Sequence, residues 1–410
     1  MKNVVTVIDM GASKIICCIA RIVDEKHFNL LGVGYCACSG MKSGIILDMD
    51  SVKKSVAVAV ENAEKMAKMR VYSVCLSVSG KCIKSHIVNI SLDIGGRVVT
   101  DADLANIFDD FGKNFGRDEE IIHLVPMSYS IDSLGNVKNP IGMVAKNLNV
   151  SISAVTAAGA QLENLSLCLE KCHLEMDDVI ATGYASGIYA IEDADPSSNQ
   201  IVIDLGGNVT SIAFFSSGVF CGIENVYLGG KNITNDIAYG LNISMENAER
   251  LKTLYGSAVV SIADENEMIF VPVNEKDDMI SLEQMPKAVL NRIVRARVVE
   301  ILEKVKAKLD RSSFCKNFSR EVIICGGGSQ LMGIRDLASE ILQKKVKIKQ
   351  INDFIDGIDV QINNDFSVCF GMIKLLQKND QNFPSPKKQT HRVTNVGFVR
   401  KILSWVENNL

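Results

Sequence analysis

Residues 5–14 of the chain read VTVIDMGASK, and residues 201–210 read IVIDLGGNVT. Each stretch is a run rich in β-branched residues that ends in an aspartate, Asp9 or Asp204, with a glycine two positions later. Such a pattern predicts a buried strand followed by a tight turn. Because the pattern occurs twice, we expect a duplicated domain with a ligand held between the two copies.

The residue types in the two turns are those that a phosphate site needs. A glycine lets backbone N–H groups approach a phosphate without a Cβ in the way. The aspartate side chain is short and suits holding the water ligands of Mg²⁺, an ion that keeps much of its hydration shell. A single copy is more often an ordinary strand with a glycine turn, whereas two copies favour a nucleotide site.

A third glycine cluster lies near the end of the chain. Residues 322–329 read VIICGGGS, which predicts a buried strand, a glycine turn and a helix that begins near Leu331. Close backbone approach to a flat or charged ligand explains such a run. Glu249 and Lys252 lie three positions apart on a predicted helix, so they share one face and are placed to hydrogen-bond ribose hydroxyls. A solvent-exposed ion pair is the alternative interpretation of these two residues.

Length and composition limit the class of protein. With 410 residues, 47% of them hydrophobic, the chain can bury a large core and is expected to form more than one domain. Its 44 basic and 48 acidic residues nearly cancel, which argues against a protein that coats nucleic acid. The 12 cysteines include no CxxC pair, so a zinc site is not predicted. The sequence has no signal-peptide pattern and no apolar run of the ~18–20 residues that span a membrane, which predicts a soluble, cytoplasmic body.

Alternating strand and helix signals predict an α/β fold. We assign residues 1–80 and 161–195 to a first domain, 81–160 to an inserted α+β module, 196–240 and 320–376 to a second domain, and 241–319 to its subdomain. A helix over 365–376 has two candidate positions, in the second domain or back in the first. The elements on which the assignment depends are the predicted strands Val4–Ile8, Phe28–Ala37 and Glu321–Cys325, and the predicted helices Gln161–Cys172, Asn232–Tyr239, Met245–Leu254 and Gln284–Leu309.

The last segment of the chain predicts a second function. Residues 377–396 form a polar linker with two prolines, and residues 397–410 follow it with the single tryptophan of the sequence. At about 100° per residue, the apolar side chains of 397–410 fall within an arc of roughly 160° that basic residues flank. This predicts an amphipathic helix on an anionic membrane, although a helix docked on the protein is the commoner structure for such a pattern. The predicted membrane residues are Phe398, Val399, Arg400, Lys401, Ile402, Leu403, Trp405 and Val406.

The three glycine elements, in this order and at these separations, resemble the phosphate-1, phosphate-2 and adenosine motifs of the actin, sugar-kinase and Hsp70 superfamily. This resemblance covers residues 1–376. A closer resemblance is to the FtsA family of bacterial cell-division proteins. It rests on LGGKNITNDIAY at 228–239, AERLK at 248–252, VRARVVEIL at 294–302, and Ser79-Gly80 and NPIGM at 139–143 in the inserted module.

The FtsA resemblance implies an actin-like two-domain fold that binds ATP and Mg²⁺. It implies that Asp9 and Asp204 organise Mg²⁺. The residues that it places at the phosphates are Gly11, Ser13, Lys14, Gly206, Gly207, Thr210 and Gly230. Those that it places around the adenosine are Glu249, Lys252, Gly327, Gly328 and Ser329.

The same resemblance implies partners and a location. Arg297 and Glu300 would receive the C-terminal tail of the tubulin-like division protein FtsZ, although a solvated charged face explains these residues equally well. The chain would form a homopolymer, bind anionic lipid at the cytoplasmic face of the inner membrane at the division site, and recruit later division proteins. An actin-like pilus-assembly component, a sugar kinase and an Hsp70-type ATPase are the alternatives. The Hsp70 alternative needs a substrate domain, and 34 residues follow position 376.

The sequence departs from the FtsA pattern at two positions. Asn208 stands where the family commonly has a third glycine, and Ser211 stands where an aspartate is frequent. Because asparagine tolerates positive φ, we expect nucleotide binding to survive the first change. Hydrolysis needs a group that orients the attacking water, and the stretch 178–191 offers no clear base. The sequence therefore predicts nucleotide binding with slow or absent turnover.

Overall fold

A computed structural model describes the protein over residues 3–113, 118–274, 280–315, 321–351 and 362–378. The predicted membrane helix at 397–410 and the linker from residue 379 onward lie outside these described residues. The described part is α/β, as predicted, with mixed sheets covered by helices.

The first domain begins with a meander of antiparallel strands and a long helix. Its elements are β1 (Val4–Met10), β2 (Lys14–Ile22), β3 (Phe28–Ala37), β4 (Met41–Lys42), β5 (Ile45–Ile46), α1 (Met49–Ala67) and β6 (Ser73–Val78). Asp48 caps the N-terminus of α1, and its carboxylate accepts hydrogen bonds from the backbone N–H groups of Asp50 and Ser51. Its buried side chains, Val52, Val56, Ala59 and Ala63, face the sheet.

The inserted module interrupts the first domain after β6. Its elements are β7 (Ile83–Val98), α2 (Asp101–Lys113), β8 (Glu119–Ile131), β9 (Leu134–Val137) and β10 (Val144–Ala158). The strands pair antiparallel in the order β7-β10-β8-β9 and share a small core that includes Leu104, Ile131 and Leu148. The first domain then resumes with α3 (Gly159–Glu170), β11 (Glu175–Ala181) and α4 (Thr182–Ala190). Its sheet has the order β11-β6-β1-β2-β3.

The second domain repeats the plan of the first. Its elements are β12 (Gln200–Leu205), β13 (Thr210–Ser216), β14 (Val219–Val226), α5 (Gly230–Leu241), α6 (Met245–Tyr255), α7 (Ile262–Asn266), β15 (Met268–Asn274), β16 (Ile280–Pro286), α8 (Lys287–Arg311), β17 (Glu321–Cys325), α9 (Ile334–Leu342), β18 (Lys345–Ile348) and α10 (Ser367–Lys378). Its sheet has the order β14-β13-β12-β17-β18. In both domains, a strand that ends in the aspartate turn pairs antiparallel with the next strand and parallel with a later one.

The last described helix, α10, packs in the first domain although it follows the second in sequence. Cys369, Met372 and Ile373 are fully buried in the core that β1, β2 and α4 share. The Phe370 ring contacts the rings of Phe28 and Tyr189 edge-on, each with 5.7 Å between centroids. Helix α10, at the end of the described residues, therefore packs against strands from their beginning.

Several predicted boundaries differ from the structure. The helix predicted over 284–309 begins at Lys287, because residues 284–286 pair with β15 and Pro286 caps the helix. The helix predicted near Leu331 begins at Ile334, since residues 327–330 form a 3₁₀ turn. The predicted linker begins two residues too early, because Gln377 and Lys378 still belong to α10.

Candidate functional site

The two aspartate turns face each other across the two domains. In each turn the glycine packs against a carbonyl three residues on: a Cβ at Gly11 would lie 2.6 Å from the Lys14 oxygen, and one at Gly206 would lie 2.6 Å from the Val209 oxygen. A Cβ at Gly207 would lie 2.3 Å from Ser13 Oγ. The structure thus brings the first predicted turn against the second, and a side chain at Gly207 would require Ser13 to move.

Asp9 and Asp204 end the first strand of their respective domains, and each contacts a buried serine. Ser77 donates to Asp9 Oδ1 at 2.5 Å, and Ser186 lies beside Asp204, whose pKa it lowers. Burial raises the pKa of Asp9 to about 6 despite the Ser77 hydrogen bond. Burial also raises the pKa of Asp204 to about 7, with a contribution from the charge of Asp9. These two carboxylates are therefore buried where negative charge is poorly compensated, and a cation beside them would be favoured.

Lys14 lies at the start of β2 and pairs with a residue from the other end of the chain. Its Nζ lies 2.5 Å from Asp365 Oδ2, and also 5.7 Å from the centroid of the Tyr35 ring. Asp365 precedes α10, and its charge also raises the pKa values of Asp9 and Asp204. Asp365 was not predicted from the sequence, and the structure places it within the predicted phosphate region.

The start of α5 closes the second turn. Gly230 N–H donates to the Gly206 carbonyl at 2.9 Å, and Lys231 N–H donates to the Gly207 carbonyl at 2.7 Å. Thr210, predicted at the phosphates, is fully buried in β13 and donates its hydroxyl to the Leu228 carbonyl at 2.9 Å. Gly230 therefore lies at the turn itself, whereas Thr210 supports the backbone that leads to it.

Glu249 and Lys252 lie on α6 beside the same turn. Lys252 Nζ lies 2.6 Å from Glu249 Oε2, 2.8 Å from Thr234 Oγ1 and 3.3 Å from the Gly230 carbonyl. Thr234 donates to Glu249 Oε2 at 2.5 Å. The Lys252 side chain is 16% exposed, so the pair is part of a network at the glycine turn rather than an isolated surface ion pair.

The glycine cluster after β17 packs against the chain itself. Gly326 has a φ of +79°, which favours glycine, and a Cβ there would lie 2.1 Å from Asp204 Oδ1. A Cβ at Gly327 would lie 2.2 Å from Asp365 Oδ1, and one at Gly328 would lie 2.8 Å from Leu205 Cβ. Atoms of Asp204, Leu205 and Asp365 thus occupy the side of these glycines where a Cβ would lie, and the contact of Gly327 and Gly328 with an adenosine stays a prediction.

Ser329 ties this cluster to the segment before α10. It is buried, donates to the Gly326 carbonyl at 2.7 Å and lies 2.7 Å from Asn364 Nδ2. Ser77, Ser186, Asn364 and Asp365 are the site residues that sequence reasoning missed. A polar residue at the end of an apolar strand was the signal available for Ser77, whereas the others are brought to the site by tertiary packing alone.

The two departures from the family pattern differ in how their side chains are satisfied. Asn208 does not have a positive φ, so the ability of asparagine to adopt that conformation plays no part here. Its Oδ1 is buried and has no hydrogen-bond partner among the described residues. Ser211 is buried, and its hydroxyl lies 2.9 Å from Asn225 Oδ1.

Arg297 and Glu300, predicted to bind a partner peptide, lie on α8 away from the aspartate turns. Arg297 makes a bidentate contact with Asp236 of α5, at 2.5 and 2.8 Å, and also pairs with Glu300. The guanidinium therefore already holds an acidic side chain within the protein.

Comparison with known proteins gives the family. A family model for "Cell division protein FtsA" matches residues 201–371, and a model for the "SHS2 domain inserted in FTSA" matches residues 80–156. The FtsA of Rhizobium meliloti is 34% identical over 358 residues, which cover 85% of this chain and 81% of the relative. The FtsA of Neisseria meningitidis is 28% identical and covers 100% of this chain and 99% of the relative. For the FtsA of Escherichia coli K12 the identity is 24%, with 99% and 98% covered.

Solved structures with the same fold include other actin-like proteins. A PilM–PilN type IV pilus biogenesis complex superposes with a TM-score of 0.67 at 14% identity, covering 91% of this chain and 98% of the other. MreB5 of Spiroplasma citri bound to ADP superposes with a TM-score of 0.55 at 13% identity, covering 93% and 99%. At such identities these neighbours establish the fold alone. The duplicated domains, the inserted module and the similarity over nearly the whole length together place this chain in the FtsA family of cell division proteins.

Proposed function

We propose that the chain binds ATP with Mg²⁺ between its two domains, self-assembles, and anchors FtsZ filaments to the membrane at the division site. The observation that carries the nucleotide proposal is the contact of the two aspartate turns at Ser13 and Gly207, with Asp9 and Asp204 close by. Backbone groups of the turns at Gly11, Ser13 and Gly206 and the ammonium of Lys14 would hold phosphates. Asp9 and Asp204 would hold water ligands of Mg²⁺, which when bound neutralises phosphate charge.

Turnover is proposed to be slow at most. The stretch 178–191 contributes Ser186, a weak base that already contacts Asp204. Asp178 in the same stretch is buried and accepts the N–H of Val179. We propose that neither group acts as the base that orients the attacking water, which phosphoryl transfer requires.

Calorimetric titration of the full chain with ATP and Mg²⁺ tests the nucleotide proposal. Saturable binding at one site is expected, and it should weaken when Mg²⁺ is chelated. Gly327→Val should also bind weakly, because it inserts side-chain bulk on the side of the cleft that is proposed to hold the adenosine. A full-length, folded chain that gives no binding heat and no nucleotide-dependent thermal shift would overturn this part of the proposal.

The membrane proposal rests on residues 397–410, which lie outside the described residues. No described helix is both long enough and apolar enough to cross a bilayer. Seven apolar side chains would contribute about 1.5–3 kcal/mol each if fully buried, but interfacial burial is partial and ordering the helix costs about 1 kcal/mol per residue or more. One helix is therefore marginal, and a polymer that presents many helices would bind through avidity. This is the physical reason for linking self-assembly to membrane binding.

Trp405→Glu is expected to abolish cosedimentation with anionic vesicles and to leave nucleotide binding unchanged. A carboxylate inside the apolar arc would have to enter the acyl boundary, at a cost of a few kcal/mol that a marginal helix cannot offset. Trp405 is also the single indole, so its emission should shift to the blue when vesicles are added to the parent chain. Ser404→Glu, on the polar arc, is the matched control. Unchanged cosedimentation of the Trp405→Glu chain, with no emission shift in the parent, would favour a helix docked on the protein.

The partner proposal places the FtsZ tail near Arg297 and Glu300. Because Arg297 already holds Asp236, an acidic peptide would have to compete with or extend this pair. Arg297→Ala is expected to weaken binding of an FtsZ tail peptide about tenfold or more, measured by fluorescence anisotropy. Arg297 would have two roles, pairing with Asp236 and binding the peptide. Asp236→Asn distinguishes them, because it weakens the internal pair and leaves Arg297 available to the peptide. Binding as tight as the parent's in Arg297→Ala would remove this residue from the partner surface.

The inserted module is the proposed surface for later division proteins, and no nucleic-acid partner is proposed. A pilus-assembly role is the alternative, although the superposition on the PilM–PilN complex shows a shared fold alone. The match to FtsA relatives over nearly the full length favours division instead. Binding of the FtsZ tail discriminates between the two roles.

A further inference from the structure

We propose that, in the absence of nucleotide, the Asp365 carboxylate pairs with the Lys14 ammonium where a nucleotide phosphate would otherwise bind. When a nucleotide binds, the ammonium leaves this carboxylate and pairs with the phosphate. The loss of the ion pair then releases the segment before α10. The inference rests on the proposed nucleotide binding and adds a competing internal anion to it. Asp365 would then lower the affinity of the site for nucleotide, and nucleotide binding would loosen the chain at the start of α10.

The geometry of Lys14 supports the exchange. Its Nζ is 2.5 Å from Asp365 Oδ2, and the side chains of Lys14 and Asp365 are 40% and 22% exposed. The pair is therefore open on one side, where a phosphate can reach the ammonium. Lys14 lies in the turn region that also holds Gly11 and Ser13, so a phosphate bound there would meet the same Nζ. A lysine ammonium exchanges readily between anionic partners because its stem is flexible and its charge is not fixed to one geometry.

The charges around the pair favour displacement of Asp365 once a phosphate arrives. Asp365 Oδ1 lies so close to Gly327 that a Cβ there would be 2.2 Å away, so the carboxylate has little room on that side. Asp9 and Asp204 contribute two further acidic groups nearby. Once a phosphate pairs with the ammonium, the Asp365 carboxylate has no cationic partner among the described residues. The polyanionic phosphate beside it then repels it.

The position of Asp365 in the chain gives the exchange a structural consequence. The preceding residue, Asn364, is tied to the second domain through Ser329 at 2.7 Å and accepts the N–H of Ile351 at 3.1 Å. The following residues begin α10, which is buried in the first domain. Asp365 thus sits on the strip of chain that joins the two domains at the site, and its ion pair holds that strip against the first turn.

Two measurements on the full chain test the inference. First, Asp365→Asn should bind ATP with Mg²⁺ roughly tenfold more tightly than the parent, because a charge-assisted competitor for Lys14 is removed. Second, hydrogen exchange of the backbone amides over 364–370 should become faster in the parent when nucleotide is added. The same amides should already exchange fast in nucleotide-free Asp365→Asn and change little on addition.

A control on the same helix distinguishes the loss of the Lys14–Asp365 ion pair from a general loosening of α10. Lys374 of α10 pairs with Glu192, remote from the turns, so Glu192→Gln should leave nucleotide affinity at the parent value. Equal gains in Glu192→Gln and Asp365→Asn would overturn the inference, as would an Asp365→Asn chain that binds nucleotide no more tightly than the parent. A weaker Asp365→Asn would make Asp365 a supporting group for the bound nucleotide instead. If the parent itself binds no nucleotide, the proposed function and this inference fall together, whereas the other failures affect the inference alone.

Discussion

Replacing Asp204 by asparagine is expected to stabilise the nucleotide-free protein at pH 8 while abolishing its binding of ATP with Mg²⁺. Burial raises the pKa of Asp204 from 3.8 to about 7, so the folded protein binds a proton that the unfolded chain has released. The contribution of Asp204 to the free energy of unfolding is therefore fully present below pH 3.8, and it is lost as the pH rises from there through about 7. The full shift corresponds to roughly 4 kcal/mol as an upper limit.

Thermal unfolding at two pH values checks this prediction. At pH 8 the Asp204→Asn chain should unfold several degrees above the parent. At pH 5 the difference should be less than half as large, because most of the loss of stability through this group falls between pH 5 and its folded-state pKa of about 7. Adding ATP with Mg²⁺ should raise the midpoint of the parent and leave that of the variant unchanged. Asp177→Asn, on the exposed side of β11, removes a carboxylate of the same type and should alter neither property. A variant that is less stable than the parent at pH 8 would mean that the Asp204 charge is compensated in the folded protein.

Gly371→Ala is expected to destabilise the protein by about 3 kcal/mol or more, because it forces apart two packed helices. A Cβ at Gly371 of α10 would lie 1.8 Å from the Ala185 carbonyl oxygen and 2.3 Å from its carbon, both backbone atoms of α4. Neither can move without displacing the helix. Gly135 offers a matched control, since it has a negative φ in β9 and its Cβ would meet nothing within 4 Å.

Urea unfolding followed by circular dichroism, together with limited proteolysis, measures the difference. Gly371→Ala should unfold at markedly lower urea and expose the first domain to protease, whereas Gly135→Ala should behave like the parent. Equal midpoints for Gly371→Ala and the parent would show that α10 does not need to approach α4 this closely.

The sequence was a good guide to the parts of the site that are local. The aspartate turns could be predicted because a β-branched run, an aspartate and a glycine at fixed spacing determine a strand and its turn. The duplication followed from the repeat of that pattern, and the two sheets with matching strand order agree with it. The family could be recognised because these motifs keep a particular order and spacing.

The sequence was a poor guide to contacts between distant elements. Asp365 reaches Lys14 across 351 positions, and nothing in the residues around it marks it as a partner for the first turn. The sequence did not show that the glycines at 326–328 have protein atoms on the side where a Cβ would lie, and their contact with a ligand stays a prediction. Thr210 was assigned to the phosphates from motif position alone, whereas its hydroxyl supports Leu228. A motif specifies which residues occur near a site, but the packing of the fold decides which of them face it.

The return of α10 to the first domain has a consequence for how the protein is made. During synthesis, β1 and β2 leave the ribosome early, yet the helix that covers them is encoded more than 340 residues later. Domains generally fold as units while the chain emerges, but this one cannot complete its core until Ser367–Lys378 has been translated. Every nascent chain therefore carries an unfinished hydrophobic surface for most of its synthesis. A product truncated before α10 would keep that surface permanently, and we expect such fragments to be captured by chaperones and degraded rather than to accumulate as a folded first domain.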